Sequence, residues 1–427
     1  MRVLRRRLPA LSPLPAALLP AALLAAALPL AATGPAAAAA PAAADVTYAA
    51  PGETAIPDSW IVTLKGSART ADAASTAREL TGRTAGRVRI GHVYTSALHG
   101  FSARMSRAEA VRLAADPRVA GIRQDTRVTL DPAAAAVTPA AVTPAATQPN
   151  APWGLDRIDQ RRLPLSTTYT YRTTAPDVRV YVIDTGLRTS HTDFGGRASV
   201  GTDTVGDGRN GEDCHGHGTH VGGIAAGTVH GVAKSARLVA VRVLDCQGSA
   251  TTSGVIAGID WVTANAVRPA VANMSLGGAA NTALDAAVRT SIASGITYTV
   301  SAGSAARPDG ACTTSPARVP ETIVAAASDR LDRRASSSNY GNCVSLFAPG
   351  VAIPSAWKDS DTATATLSGT SMATAHTAGA VALHLAFRPA DTPAQVKHAL
   401  LANATAGVLQ GSPPPVPNRL LYTLYLP

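Results

Sequence analysis

The chain has 427 residues, of which 46% are apolar and 15% charged, and it carries 38 Lys and Arg against 28 Asp and Glu. This length and apolar content allow two or three folded domains and exclude disorder along the whole chain. Most of the positive excess lies early, with 16 Lys and Arg against 9 Asp and Glu up to Ala146 and 22 against 19 beyond it. The later part therefore has an ordinary surface charge. It lacks the stripe of basic residues, interleaved with aromatic ones, that is typical of nucleic-acid binding.

Residues 1–44 have the composition of an export signal. Arg2 and three further arginines form a basic start, a run of Ala, Leu and Pro follows, and small residues close the segment near Ala44. Prolines at positions 13, 15, 20 and 29 interrupt the run, which disfavours a permanent membrane helix. We therefore expect a secreted protein with no membrane association after the signal is removed.

Residues 45–131 predict a small α+β domain. The pattern runs strand, helix, two strands, helix, strand, in segments at 59–66, 71–80, 87–94, 98–105, 106–117 and 119–125. This order is typical of a ferredoxin-like unit with a four-stranded antiparallel sheet. Residues 132–152 are then nearly uncharged and rich in Ala, Pro and Thr, which predicts a linker.

Residues 153–427 predict a doubly wound α/β domain with a parallel sheet. Helical stretches alternate there with the apolar strands VRVYVID, LVAVRVL, ANMSL and ITYTVSAG. In such sheets, functional groups lie at the carboxyl ends of the strands. Asp184 ends the first of these strands and is therefore a candidate functional residue.

Three motifs in this second part each place one reactive side chain among small residues. They are VIDTG with Asp184, HGHGTH with His217 and SGTSMATAH with Ser371. A carboxylate, an imidazole and a hydroxyl can together form a nucleophilic triad. Taken singly, Asp184 has a simpler interpretation as a turn residue, and Ser371 as a helix cap.

Two other kinds of site are open to the same residues. His215, His217 and His220 form a cluster, but they lack the helical-turn spacing and intervening Glu of a typical zinc site. An esterase could use the same triad, although α/β-hydrolase esterases place the nucleophile first in the chain rather than last. The order Asp, His, Ser therefore favours a different family.

From about Pro152 to the C-terminus the chain resembles the subtilisin-type serine proteases, above all the proteinase K and aqualysin branch. Residues 58–131 resemble the inhibitory propeptide of that family. The resemblance rests on the three motifs in the family's order, and it implies an endopeptidase in which Ser371 attacks the peptide carbonyl. His217 would transfer the proton and Asp184 would orient His217.

The resemblance also implies a zymogen. The propeptide would occupy the cleft until it is cut off within the linker, between Val137 and Pro149. The partners would be polypeptide substrates and the protein's own propeptide, with no nucleic acid and no second subunit.

Substrate binding is assigned by the same resemblance to three short segments. Two of them would pair with an extended peptide backbone, and the third would line a first specificity pocket with room for apolar or aromatic side chains. The pairing segments are Gly248, Ser249 and Ala250, and Ser275, Leu276, Gly277 and Gly278; the pocket segment is Ser301, Ala302 and Gly303. Simple turn chemistry is the other explanation for the glycine-rich stretches.

Four cysteines in an exported chain should form disulfides, and three pairings are possible. The resemblance selects two bridges, Cys214 with Cys246 and Cys312 with Cys343. Free thiols or metal binding remain the other possibilities for these residues.

One departure from the family concerns the oxyanion hole. Ser304 stands where the family has an Asn whose amide helps to bind the oxyanion. The Ser371 backbone N–H, together with the Thr370 hydroxyl, would remain available, so we expect weakened turnover. The second candidate function is therefore a protease-like protein that binds peptides without useful turnover.

A second departure concerns metals. Ser345 replaces a calcium-binding Asp of this branch, so a site formed with the carbonyls of Pro320 and Thr322 should be weak or absent. Calcium could also bind through Asp203, Asp207 or Asp213. The triad itself requires no metal and no cofactor.

Overall fold

The computed structural model of the chain describes residues 43–66, 72–82, 87–130, 147–412 and 416–425. The predicted signal, apart from its last two residues, lies outside the described residues, as does the linker from 132 to 146 with most of the predicted cleavage region. Within the described ranges, no helix combines the length and apolar character needed to cross a membrane.

The N-terminal domain is a sheet with two helices packed on it. Its elements are β1 (Asp45–Thr47), β2 (Ala55–Leu64), α1 (Ala73–Gly82), β3 (Arg89–Tyr94), β4 (Gly100–Arg104), α2 (Arg107–Ala114) and β5 (Val119–Thr129). Helix α2 begins at a capping box, because the Ser106 hydroxyl accepts from the Glu109 backbone N–H while the Glu109 carboxylate accepts from the Ser106 N–H. The sequence motif SRAE thus fixes where this helix starts.

The strand order in this domain is β1-β5-β2-β4-β3, and the pairs β5-β2, β2-β4 and β4-β3 are antiparallel. These four strands form the predicted ferredoxin-like unit. The sheet differs from the prediction at its edge, where β1 pairs parallel to β5. A three-residue strand so close to the predicted signal has too little periodicity to be recognised from sequence.

The second domain is built of the following helices and strands, which include a large, mostly parallel sheet. They are β6 (Thr147–Pro149), α3 (Trp153–Ile158), β7 (Thr168–Thr170), β8 (Arg179–Asp184), β9 (Ala198–Asp203), α4 (His217–Ala226), β10 (Arg237–Arg242), β11 (Ser249–Thr251), α5 (Thr252–Asn265), β12 (Ala270–Met274), β13 (Gly278–Ala279), α6 (Thr282–Ala293), β14 (Thr297–Ser301), β15 (Thr314–Ser315), β16 (Ile323–Ser328), β17 (Leu346–Pro349), β18 (Ile353–Ala356), β19 (Thr364–Leu367), α7 (Thr370–Phe387), α8 (Pro393–Asn403), β20 (Thr405–Ala406) and β21 (Arg419–Leu420). Two short 3₁₀ turns lie at Thr192–Phe194 and Gly310–Thr313.

The main sheet has the order β20-β21-β17-β16-β14-β12-β8-β10-β9. Strands β17, β16, β14, β12, β8, β10 and β9 are all parallel to their neighbours, and only β20 joins antiparallel. The four strands predicted from apolar runs are the adjacent centre of this sheet, β14-β12-β8-β10. Such continuous apolar strands are expected where both faces of a sheet are covered.

Helices cover both faces of the large sheet. Helix α7 is buried on nearly all sides and packs with α4 against one face, in a core that includes Val180, Ile224 and Val381. A second core includes residues of α5, α6 and the other face. Because alanine and glycine supply much of α4 and α7, the helices approach the sheet closely and bring their N-termini to its carboxyl edge.

The two domains share one apolar interior. Ile61, Tyr94, Leu98 and Val128 of the N-terminal domain belong to the same buried cluster as the α5 side of the large sheet. The last strand of the N-terminal domain also pairs with a strand of the second domain, because β5 lies antiparallel to β11. The N-terminal domain is therefore held to the second domain by both side-chain packing and main-chain hydrogen bonds.

Candidate active site

The three motif residues lie at the carboxyl edge of the large sheet. Asp184 is the last residue of β8, His217 is the first residue of α4, and Ser371 is the second residue of α7. All three are buried, with at most 6% of each residue exposed. A helix N-terminus presents unpaired backbone N–H groups and a positive dipole end, which favours negative charge developing near Ser371.

Asp184 and His217 form a direct buried pair. The Nδ1 atom of His217 lies 2.8 Å from Oδ1 of Asp184, and the backbone N–H of Thr185 donates to the same oxygen at 2.8 Å. Within the described part of the chain, Oδ2 of Asp184 is buried without a hydrogen-bond partner. A proton on Nδ1 directed at Asp184 would leave Nε2 as the basic nitrogen of a neutral ring.

Asp213 positions the loop that precedes His217. Its carboxylate accepts from the hydroxyls of Thr185 and Thr219 at 2.9 and 2.7 Å and from the backbone N–H groups of His215, Gly216 and Thr219. Sequence reasoning treated Asp213 only as a possible calcium ligand. An Asp just before a glycine-rich turn is a signal for such backbone capping, and it could have identified this role.

Ser371 is held in place by hydrogen bonds with Ser275. Its hydroxyl donates to the Ser275 carbonyl at 3.2 Å, while the Ser275 hydroxyl donates to the Ser371 carbonyl at 3.0 Å. The side-chain amide of Asn273 in turn donates to the Ser275 hydroxyl at 3.0 Å. These reciprocal bonds join the end of β12 to the start of α7, and Asn273 is a participant that the sequence did not reveal.

Ser304 lies beside the start of α7, where the sequence predicts the oxyanion hole. Its hydroxyl oxygen accepts the Thr370 backbone N–H at 3.1 Å and lies 3.2 Å from the Thr370 hydroxyl. The Thr370 hydroxyl also accepts the backbone N–H of Gly303 at 3.2 Å. The structure therefore places Ser304 and Thr370 together as two neighbouring hydroxyls next to Ser371.

The two predicted peptide-binding edges both contact the end of the N-terminal domain. Strand β5 pairs antiparallel with β11, so Thr129 lies opposite Ser249, and the backbone N–H of Leu130 donates to the Gly248 carbonyl at 2.9 Å. On the other side, Thr129 forms an antiparallel bridge with Gly277. The segment from Arg127 to Leu130 thus lies as an extended strand between the two edges, which is β-augmentation.

Side chains of this strand meet small residues. A Cβ atom on Gly278 would lie 3.3 Å from Cγ2 of Val128, and one on Gly248 would lie 2.9 Å from Cδ1 of Leu130 and 3.4 Å from Nε2 of His215. Val128 shares its buried cluster with Ala250 and Leu276. The absence of side chains at the two glycines therefore makes room for apolar side chains of a bound strand.

The predicted pocket segment lies at the end of β14. Ser301 is the last residue of that strand, Ala302 is fully buried, and Gly303 has a φ of 93°, which favours glycine. Asn339 fixes this turn, because its side-chain amide donates to the Ala302 carbonyl at 2.8 Å and its backbone N–H donates to Gly303. Sequence analysis did not identify Asn339.

The other two histidines of the cluster have separate roles. His215 lies in the loop, and burial lowers its pKa, an effect that the neighbouring His217 increases. The Nε2 atom of His220 lies 3.1 and 3.0 Å from the carbonyls of Ile353 and Ala365 on β18 and β19. Burial lowers the pKa of His220 to about 3, so its ring is neutral.

The four cysteines form two disulfides, Cys214–Cys246 and Cys312–Cys343. The first joins the loop before α4 to the loop before β11, which contains Gly248. This bridge therefore connects the segment that carries His217 to one of the two predicted peptide-binding edges.

The carboxylates considered for calcium face other partners. Arg242 donates from Nη1 to Asp203 at 2.9 Å and to Asp207 at 2.6 Å, and this guanidinium lowers the pKa of Asp207 to about 2. Asp207 also lies near Cys214 and Cys246, but a disulfide offers no thiolate to a metal. The Ser345 hydroxyl accepts the backbone N–H of Val324 at 3.0 Å. The residues at these places do not form the carboxylate-rich shell that calcium prefers.

The parallel sheet has Asp, His and Ser at its carboxyl edge, and the last strand of the small domain lies between the two predicted peptide-binding edges. This is the architecture of a serine protease joined to its inhibitor. Comparison with protein families matches residues 176–418 to the subtilase family and residues 59–131 to peptidase inhibitor I9. The chain belongs to the subtilase family.

Individual relatives agree with this assignment. The chain is 48% identical over 335 residues to an extracellular serine proteinase of Thermus sp. (strain Rt41A), with 78% of each sequence covered. It is 42% identical to alkaline serine exoprotease A of Vibrio alginolyticus, over 88% of this chain and 69% of that protein. The crystal structure of a cold adapted subtilisin-like serine proteinase matches at 49% identity and a TM-score of 0.62, covering 64% of this chain and 99% of the other.

Proposed function

We propose that the protein is a secreted serine endopeptidase made as a self-processing zymogen, with Asp184, His217 and Ser371 as its triad. The observation that carries the proposal is the buried contact of 2.8 Å between His217 and Asp184 at the same sheet edge as Ser371. Secretion is supported by the export-like composition of residues 1–44 and by the similarity to the extracellular serine proteinase of Thermus.

In this proposal Ser371 attacks the peptide carbonyl, and His217 takes the hydroxyl proton through Nε2 and passes it to the leaving amine. Asp184 holds the ring in the required tautomer and stabilises the imidazolium that forms. The backbone N–H of Ser371 at the start of α7, together with the hydroxyls of Thr370 and Ser304, would stabilise the oxyanion. A hydroxyl is shorter than the Asn amide of the family, so this stabilisation should be weaker.

The N-terminal domain would inhibit the enzyme as a bound, substrate-like strand. Its main-chain bonds to Gly248 and Gly277 use the groups that would bind a substrate. The contacts of Val128 and Leu130 support a preference for apolar side chains at the corresponding substrate positions. The small residues Ser301, Ala302 and Gly303 support a broad preference for apolar or aromatic side chains at the bond to be cut.

The test is whether processing depends on the nucleophile. The purified full chain should release its N-terminal domain by cleavage within residues 137–149, and a fluorophosphonate probe should label Ser371. The Ser371→Ala variant should remain uncleaved and unlabelled. The proposal fails if the parent chain neither processes itself nor reacts with the probe.

The second candidate is a protease-like protein that binds its propeptide or other peptides with little turnover. The position of Ser304, whose hydroxyl already accepts the Thr370 N–H, favours this candidate. Sequencing the N-terminus of secreted material distinguishes the two, because only an active enzyme produces a new N-terminus that Ser371→Ala abolishes. Paired ester and peptide substrates would detect esterase activity by the same residues.

A further inference from the structure

Two backbone carbonyls converge on one lysine at the base of the C-terminal helix. Nζ of Lys397, in α8, lies 2.7 Å from the carbonyl oxygen of Pro320 and 2.7 Å from that of Thr322. These are the two carbonyls that the family resemblance associates with a calcium ion. A lysine ammonium carries three N–H donors and one positive charge, so it can bind both oxygens at once.

The turn that presents the two carbonyls is rigid by its own hydrogen bonds. The backbone N–H and the hydroxyl of Thr322 both donate to the Val319 carbonyl, at 3.1 and 2.8 Å. Pro320 has no N–H to compete and its φ is fixed by the ring. Because the turn directs two carbonyl oxygens to one point, it creates a place for a positive charge whichever cation occupies it.

The surroundings disfavour a divalent cation there. Lys397 lines one cleft with Ser345, Arg318 and Arg419, and none of the described residues that line it is Asp or Glu. The Ser345 hydroxyl is already used by the Val324 N–H. Calcium takes six to eight oxygen ligands, with carboxylates prominent among them, and the described lining of this cleft supplies no carboxylate.

The nearest acidic group does not change this balance. Glu321 lies between the two carbonyl-bearing residues. Burial lowers the pKa of Lys397, and the charge of Glu321 only partly opposes this effect. The Glu321 carboxylate lies 3.5 Å from the guanidinium of Arg289. Lys397 is half-buried, and Thr322 is fully buried, so its carbonyl would lose its partner if the lysine were removed.

We infer that the Lys397 ammonium is a built-in replacement for a metal ion at the Pro320 and Thr322 carbonyls, linking α8 to the turn before β16 without calcium. This inference is independent of the catalytic proposal, because it concerns stability at the turn before β16, which is three strands away from β8 in the sheet. It applies to this site alone.

The first test compares melting temperatures of the full chain in a Ser371→Ala background, which prevents self-digestion. Lys397→Met should melt about 3 °C or more below the parent in EGTA, because two carbonyls lose their cation. Lys358→Met is the matched control, since the Lys358 ammonium pairs with the exposed Asp359 carboxylate at 2.6 Å; this variant should melt within about 1 °C of the parent. Equal melting of Lys397→Met and the parent would overturn the inference.

The second test rebuilds a metal site. Lys397→Met combined with Ser345→Asp should regain stability in millimolar calcium but not in EGTA, and this calcium-dependent rise should exceed that of the parent. A double variant that gains nothing from calcium would contradict the view that these carbonyls form a cation site. A parent that responds to calcium as strongly as the double variant would contradict replacement by Lys397.

The third test needs no variant of Lys397. Brief acylation of the folded Ser371→Ala chain, followed by peptide mass spectrometry, should modify Lys397 more slowly than Lys358, and unfolding in guanidinium should remove the difference. Equal rates in the folded chain would show that the ammonium is not held on the carbonyls, and the inference would fall.

Discussion

The carboxylate of Asp260, on helix α5 of the protease domain, lies 2.6 Å from the backbone nitrogen of Ala97 in the N-terminal domain. The same carboxylate accepts the backbone N–H groups of Thr95 and Ser96, at distances down to 2.7 Å. A charged acceptor thus holds three consecutive N–H groups of a turn that has no helix or strand to satisfy them. Hydrogen bonds to a charged acceptor are stronger than neutral ones.

We therefore predict that Asp260→Asn weakens the hold of the N-terminal domain after processing. Each bond to a charged group contributes about 1.5–3 kcal/mol, so the released domain should dissociate about tenfold faster or more. The measurement is the lag between self-cleavage and full peptidase activity, which should shorten. Asp359→Asn, at an exposed carboxylate paired with Lys358, is the control and should leave the lag unchanged. A lag that stays the same in Asp260→Asn would show that the contact contributes little.

The environment of Ser304 gives a prediction about rate. In subtilisin, loss of the side-chain amide from the oxyanion hole lowers turnover about 100- to 1,000-fold. Ser304→Asn should therefore raise kcat on a chromogenic peptide by about tenfold or more, with a smaller change in KM because the gain acts on the transition state. Equal kcat values for the parent and Ser304→Asn would mean that the Thr370 hydroxyl or another donor already stabilises the oxyanion.

The sequence predicted most of the overall architecture, because the apolar patterns that identify strands and helices are local features of the chain. Apolar runs predicted the central strands β8, β10, β12 and β14, and the helical pattern of residues 106–117 predicted α2. The positions of Asp184, His217 and Ser371 could be expected at one edge because parallel strands end on the same side. The contact between Nδ1 of His217 and Asp184 joins residues 33 positions apart in the chain, and no local sequence pattern predicts its geometry.

The contacts that support the site were the least predictable part. Asp213 bonds to backbone groups of its own loop and to the distant Thr185 hydroxyl, Asn273 bonds to the Ser275 hydroxyl, and Asn339 bonds to the Ala302 carbonyl 37 residues away. Polar residues of this kind occur in any loop, so the sequence does not single them out. The position of Lys397 is a similar case, because 75 residues separate it from Thr322. Resemblance to the family indicated that a cation ligand was missing at Ser345, but only the three-dimensional arrangement shows which group faces the carbonyls.

The two disulfides should contribute comparable stability but affect substrate binding differently. Their sequence separations are 32 and 31 residues, so removing either by paired Cys→Ser changes should cost about 3–4 kcal/mol in the chain-entropy model. The Cys214–Cys246 bridge also positions the Gly248 edge, so we expect its loss to raise KM for peptides more than loss of Cys312–Cys343 does. Unfolding in guanidinium and peptide kinetics measure the two effects. A KM that rises equally in both paired variants would argue against a special role for the first bridge.

A buried histidine on α7 predicts how stability changes in acid. The Nδ1 atom of His376 lies 2.9 Å from the Met372 carbonyl, the residue is 1% exposed, and burial lowers its pKa to about 4. In the unfolded chain a histidine takes up its proton near pH 6.5. Between about pH 6.5 and 4 the unfolded state therefore binds a proton that the folded state does not, and stability falls as the pH falls.

His376→Gln should remove this contribution. In the Ser371→Ala background, the loss in free energy of unfolding between pH 7.5 and 4.5 should be about 2 kcal/mol smaller in His376→Gln than in the parent, as measured by guanidinium unfolding at each pH. Comparing differences between two pH values removes any packing cost of the substitution that is independent of pH. His398→Gln, at an exposed position of α8, is the control and should show the parent's loss. If His376→Gln loses as much stability in acid as the parent, the acid sensitivity must come from other groups, of which the buried His220 is the first to test by the same substitution.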